Sequence, residues 1–306
     1  MSKLVNYSKT RYCGLVQEAR ILYLFPCINL SLAGNSICNN FADGTCADIH
    51  FPDPELKGTQ MQGKTVLITG GAKRVGAAIG RKFHSLGANL MIHYRSAGAE
   101  ARDLQRELNA IRPDSVALIQ ADLLDCDSFP NIIQTTLTSF GRLDVLVNNA
   151  SSFYASPVGS ITENNWLDLI GTNLKAPLFL SQAAAGELRR RRGCIVNITD
   201  IHADRPMKNY VVYSIAKAGL AGLTRSLARE LGPDVRVNGV APGPIIWPED
   251  AADLDEVSRQ RIISHTVLKQ AGDPADIAEA VYYLAASADY VTGQIINVDG
   301  GRSIRL

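Results

Sequence analysis

The sequence predicts an α/β protein: a single doubly wound domain in which a parallel sheet is flanked by helices on both faces. Three observations point that way. From Gly63 onward, short apolar runs alternate with stretches of helical periodicity. The run Cys194-Ile195-Val196-Asn197-Ile198 is apolar enough to read as a buried strand, as parallel sheets covered on both faces require. No second change in composition follows residue 60, so one domain is expected from 61 to 306.

The elements follow in order. Lys64–Thr69 reads as a strand and Val75–Leu86 as a helix. Asn89–Tyr94 is the second strand, followed by a helix over Gly98–Ile111 with Ala101, Leu104, Leu108 and Ile111 on one face. Ser115–Gln120 and Leu143–Asn148 continue the strands, with the helix Ser128–Phe140 between them. A long helical stretch, Glu163–Arg190, precedes the strand at Cys194. Ala216–Leu231 has helical periodicity and stops at Gly232-Pro233. Val235–Val240 and Ile295–Val298 close the sheet, and Ile245–Ser264, within a segment of about 244–270, reads as a loop and helix over the site, with Trp247 as a lid residue.

Residues 1–60 stand apart. They hold four of the six cysteines, show no clean periodicity and read as a poorly ordered extension. The apolar stretch Ile21–Ala33 follows Glu18 and is interrupted by Pro26, unlike a secretion signal, and Lys3, Lys9, Arg11 and Arg20 give only a weak mitochondrial pattern. The gaps between Cys13, Cys27, Cys38 and Cys46, fourteen, eleven and eight, match no metal-ligand spacing. Cys126 and Cys194 therefore read as reduced, buried thiols of a cytoplasmic protein. A 46% hydrophobic, 20% charged composition with net charge +1 argues against nucleic acid or a membrane surface as the main partner.

The chemistry-bearing residues cluster where open α/β sheets place it, at the carboxyl ends of strands. Asp200 follows the buried strand, and Tyr213 and Lys217 are four apart, on one helix face. A lysine ammonium beside a phenol favours the phenolate, so a lowered tyrosine pKa and a proton-transfer role are expected. The turn Thr69-Gly70-Gly71-Ala72-Lys73-Arg74-Val75-Gly76 lies between strand and helix and suits a phosphate cradle, although a plain tight turn is the competing reading. The second strand ends His93-Tyr94-Arg95-Ser96, with a cation where NAD-binding folds place a carboxylate, which matches the 2′-phosphate of NADPH. Asp122, followed by Leu123, suits either the adenine amino group or a turn.

Together, Thr69-Gly70 with Gly76, Asn148-Asn149-Ala150, Asn173, Tyr213 with Lys217, Pro242-Gly243 and Val298-Asp299-Gly300-Gly301 resemble the short-chain dehydrogenase/reductase family over residues 63–303. The resemblance implies a Rossmann-like fold, Tyr213 as proton donor, Lys217 on the nicotinamide ribose and Asn173 behind a proton-relay water. It also implies that Asn148, Ala150, Pro242 and Gly243 line the cofactor, and that the chain is a homodimer or homotetramer. The family's serine thirteen residues before the tyrosine is here Asp200. That replacement, Lys73-Arg74, His93-Tyr94-Arg95-Ser96 and Asn149-Ala150-Ser151-Ser152-Phe153-Tyr154 resemble pteridine reductases. In that subgroup Ser151 would contact cofactor and substrate, and Phe153 would stack on a pterin ring. The expected reaction is NADPH-dependent reduction of a pterin or folate C=N bond. The rivals are a carbonyl reductase of acyl thioesters or sugars and a non-catalytic NADPH-binding sensor. Arg302 and Arg305 in the tail stand open between a substrate contact and a solvated end.

Overall fold

The computed structural model describes residues 61–245 and 255–304 in full, and only the backbone of three short strands before them. Those strands, β1 (Leu30–Ala33), β2 (Ser36–Asn40) and β3 (Cys46–Ile49), pair antiparallel in the order β1-β2-β3 within a unit of their own, Met1–Leu56. The rest of residues 1–60, like Trp247 and Arg305, lies outside the described residues.

The second unit is built on seven parallel strands: β4 (Thr65–Ile68), β5 (Asn89–Tyr94), β6 (Val116–Gln120), β7 (Val145–Asn148), β8 (Cys194–Ile198), β9 (Arg236–Pro242) and β10 (Ile295–Val298). They lie in the order β10-β9-β8-β7-β4-β5-β6. The order reverses between β4 and β7, and in such sheets the crevice outside that switch point takes the ligand.

The inner strands β4, β5, β7, β8 and β9 are buried on both sides, so alternate residues enter opposite cores. Val66, Ile68, Leu90 and Ile92 pack with Ile79 and Phe83 of α1 (Arg74–Ser85), Leu104 and Leu108 of α2 (Gly98–Ile111) and Ile277 and Val281 of α8 (Pro274–Tyr282). Leu67, Met91, Leu146 and Ile195 enter the other core, against Phe129 and Ile132 of α3 (Ser128–Phe140) and Leu180 and Leu188 of α5 (Ala176–Arg191). Leu231, from the end of α6 (Val211–Leu231), joins the second core.

Three elements differ from the sequence expectation. The long helix expected over Glu163–Arg190 is α4 (Glu163–Ile170) and α5, joined by a π-helical turn at Gly171–Lys175. The helix expected from Ala216 begins at Val211, so Tyr213 and Lys217 both lie inside α6. An unanticipated helix, α8, starts on an Asp273 capping box with Pro274 in its first turn, a strong start signal. The segment before it carries α7 (Glu256–Ser264), close to where a helix was expected.

Candidate active site

The turn after β4 is held from several sides. Gly70 has φ +59°, and a Cβ there would lie 3.0 Å from Ala150 Cα, so only glycine fits this backbone. Asn149 Nδ2 donates to the carbonyls of Thr69 (2.9 Å) and Gly70 (3.0 Å), while Thr69 Oγ1 accepts the N–H groups of Asn149 and Ala150. A Cβ at Gly76 would lie 2.7 Å from Asn149 Nδ2. The ends of β4 and β7 are thus laced together at the switch point.

Lys73 is the N-cap of α1 without a side-chain cap, so the leading N–H groups of the helix keep their positive end toward the crevice. Arg74 adopts φ +49°, a left-handed conformation that costs a non-glycine residue about 1–3 kcal/mol. Lys73 Nζ lies 2.5 Å from Glu100 Oε1. The cradle expected at Gly70, Lys73, Arg74, Val75 and Gly76 is therefore a closely packed turn opening into a helix.

At the end of β5, His93 is buried, and its ring joins the Gly70 N–H to the Ala121 carbonyl. Burial pushes its pKa down to about 4, against smaller upward pulls from the Ala121 carbonyl and the Asp122 carboxylate. Tyr94 is half-buried, whereas Arg95 and Ser96 lie at the surface, where the Arg95 carbonyl accepts from Gln120 Nε2. Asp122 Oδ1 accepts the Leu124 N–H at 3.0 Å, a turn that shapes the loop around buried Leu123.

The π turn in the long helix brings Asn173 inward. Its Nδ2 donates to the carbonyls of Ser152 and Leu169, both at 2.9 Å, and its Oδ1 accepts from Ser151 Oγ at 2.7 Å. π turns are often sited at functional residues, since the extra residue redirects one side chain. Asn173 thereby fixes the loop after β7, and with it Phe153. Phe153 is 55% exposed, stacks on Tyr210 at 4.8 Å and meets Tyr213 edge-on at 4.8 Å. Tyr210 did not stand out in the sequence; its only signal there was an aromatic three residues before Tyr213.

Tyr213, Asp200 and Lys217 form the centre. Tyr213 Oη donates to Asp200 Oδ2 at 2.6 Å, and Asp200 Oδ1 accepts the His202 N–H at 2.8 Å. Lys217 Nζ donates to the Ile198 carbonyl at 2.9 Å and sits 5.7 Å from the centre of the Tyr213 ring. The expected drop in the tyrosine pKa is not what the geometry produces. Burial, then the charge and hydrogen bond of Asp200, hold the phenol well above its ordinary range; a hydrogen bond from Ser151 opposes this weakly. Burial pushes Lys217 down to about 8, with Asp200 pulling upward. Tyr213 is thus a neutral phenol at physiological pH, a group that can give a proton.

The remaining expected residues divide. Pro242 ends β9, and Gly243 follows, its N–H bound to the Val298 carbonyl at 2.9 Å. Asn148 turns into the core, donating to Asn197 Oδ1 (2.8 Å) and Ser181 Oγ (3.4 Å). Arg302 donates to the Ile262 carbonyl at the end of α7, so its guanidinium has a protein partner. Among the described residues no group of His, Cys, Asp and Glu is placed to hold a metal, and no helix is long and apolar enough to cross a membrane.

Known proteins are similar to this chain over most of its length. A family profile described as Enoyl-(Acyl carrier protein) reductase matches residues 70–303. Pteridine reductase 1 of Leishmania tarentolae is 36% identical over 278 residues, covering 78% of this chain and 96% of that protein. The 3-oxoacyl-(acyl-carrier-protein) reductase FabG of Staphylococcus aureus is also 36% identical, over 241 residues, 78% of this chain and 97% of its own. Among solved structures, a blue fluorescent protein from a metagenomic library, in complex with NADPH, superposes with a TM-score of 0.74 at 34% identity, covering 80% and 99% of the two chains. The switch-point turn, the inward asparagine and the Tyr213–Lys217 pair lie within the matched span, and the chain belongs to the short-chain dehydrogenase/reductase family of oxidoreductases.

Proposed function

We propose that the protein reduces a C=N bond of a pteridine, a dihydropterin or dihydrofolate, at the expense of NADPH. The observation that carries this reading is the 2.6 Å hydrogen bond from Tyr213 to Asp200. A carboxylate at that point repels the oxyanion that develops when a ketone is reduced, whereas it suits the N–H and amino groups along the edge of a basic heterocycle.

The residues present fit the cofactor: a Cβ at Gly70 or Gly76 would crowd its neighbours, Arg74 lies within the turn between them, and Arg95 follows the next strand. In this reading the start of α1 holds the pyrophosphate, Arg95 and Ser96 the 2′-phosphate, Asp122 and Leu123 the adenine side, and Asn148, Ala150, Ser151, Pro242, Gly243 and Lys217 the nicotinamide side. NADPH, when bound, supplies the hydride. Tyr213 gives its proton to the ring nitrogen beside the reduced carbon. Lys217, cationic below about pH 8, offsets the phenolate left behind. Asp200 orients the substrate edge and takes part in returning a proton to Tyr213, and Phe153 offers its exposed face to the flat ring.

Identity alone does not separate a pteridine reductase from a 3-oxoacyl reductase, since the two relatives match equally well. Steady-state rates with dihydrobiopterin, dihydrofolate and an acetoacetyl thioester decide it. Wild type is expected to prefer the pteridines, and Asp200→Ser to lose at least about tenfold on them, roughly 1.4 kcal/mol of transition-state stabilisation. Unchanged dihydropterin turnover in the serine variant, or faster turnover of the thioester by wild type, would remove the pteridine reading. Tyr213→Phe is expected to abolish both activities.

A further inference from the structure

We propose that His93 is a positioning residue that clamps the glycine turn in the shape that binds NADPH, acting through Gly70. His93 lies on β5, the strand between β4 and β6, and its ring reaches to the ends of both neighbours. Nδ1 is 3.2 Å from the Gly70 nitrogen on one side, and Nε2 is 3.1 Å from the Ala121 carbonyl oxygen on the other. The backbone carbonyl of His93 also accepts the Gly71 N–H at 3.0 Å. One residue therefore takes two consecutive N–H groups of the turn.

Only one form of the ring serves both side-chain contacts. A backbone N–H can only donate, so Nδ1 must present its lone pair to Gly70. A carbonyl can only accept, so the ring proton must sit on Nε2. His93 is 1% exposed, so water does not compete for either bond. The carboxylate facing it is that of Asp122, beside Ala121, and burial outweighs its pull. The ring is thus held neutral in a single tautomer.

The clamp acts on a residue already restrained at its other end. Asn149 Nδ2 holds the Gly70 carbonyl at 3.0 Å while His93 holds the Gly70 N–H. With φ at +59° and Ala150 Cα against the position of a Cβ, Gly70 has one place to lie. Because Gly70 and Gly71 direct their N–H groups to His93, backbone donors for a phosphate must come from further along, at the start of α1. Releasing Gly70 would let its peptide rotate and carry the start of α1 out of register with a bound phosphate. His93 therefore governs NADPH affinity more than turnover at saturation.

The inference rests on the NADPH reading above, and the test separates the two. Asn places an acceptor where Nδ1 stands but cannot reach Ala121; Gln places a polar group near Nε2 but leaves the Gly70 N–H without an acceptor. NADPH dissociation constants, measured by fluorescence on the full chain, are expected to stay within about threefold of wild type in His93→Asn. In His93→Gln they are expected to rise about tenfold or more, with KM for NADPH following and kcat changing less. A merely structural histidine would make the two variants alike, and equal affinities would overturn the proposal. The ring tautomer of the unsubstituted protein, read without cofactor by nitrogen-15 NMR, is expected to be Nε2–H; an Nδ1–H ring would overturn it even if neither variant folds. Failure of wild type to bind NADPH would overturn the cofactor reading and the affinity consequence together, leaving the tautomer as the measure of the clamp itself.

Discussion

Tyr213 and Lys217 hold opposite perturbations within one small volume. The phenol is pushed up and the ammonium down, both mainly by burial, and Asp200 pulls both upward. For Lys217 the folded value of about 8 lies below its ordinary 10.5, so its contribution to stability is present above pH 10.5 and is lost as pH falls to about 8. At neutral pH the buried ammonium is a burden on the fold. The kcat/KM profile is accordingly expected to fall on the alkaline side with an inflection near pH 8, where that charge is lost. Asp200→Asn removes the upward pull, so the inflection should move to lower pH. A limb that stays in place in this variant would assign it to another group. The proximity of lysine to tyrosine was readable from their spacing of four. The sign of the tyrosine shift was not, because it depends on burial depth and on a carboxylate brought in by tertiary packing.

At the scale of elements, the alternation of strand and helix was legible because each has its own hydrophobic period, and every strand of the parallel sheet was anticipated to within about two residues. The π turn was not, since Gly171-Thr172-Asn173-Leu174-Lys175 differs from ordinary helix only in which carbonyl each N–H reaches. That turn is where Asn173 acquires its three partners. Asn173→Ala removes them at once and is expected to lower stability by about 1–3 kcal/mol and kcat by at least about tenfold, the second through a loosened Ser151–Phe153 loop. Thermal unfolding and steady-state rates measured together check this; a variant with wild-type kcat would detach the π turn from function. The end of β5 makes a separate expectation. Arg95→Ala should weaken NADPH binding by roughly tenfold or more, the value of about 1.5–3 kcal/mol for a charged hydrogen bond, and leave NADH nearly unaffected. Equal losses for both cofactors would place Arg95 away from the 2′-phosphate.

Over the whole molecule, residues 1–60 show no periodic apolar face in their sequence with which to dock on the sheet. A chain starting at Met61 is therefore expected to keep its melting temperature and turnover, and a large loss of either would show that residues 1–60 support the fold. Through the middle of the apolar interior runs a line of polar groups. Asn148 on β7 donates to Asn197 on β8 at 2.8 Å, Asn197 donates to Thr224 on α6 at 2.9 Å, and Thr224 donates to the Leu220 carbonyl at 2.8 Å. Greasy contacts alone let a helix roll or slip on a sheet with little penalty, whereas a buried amide left facing carbon costs about 1–3 kcal/mol. The line works as a key in a slot: it indexes the rotation of α6 about its own axis. A slip of one residue would swing Tyr213 round by about 100°, away from Asp200. The aim of Tyr213 is thus set about three turns further along its helix, where Thr224 meets Asn197 and, through it, Asn148.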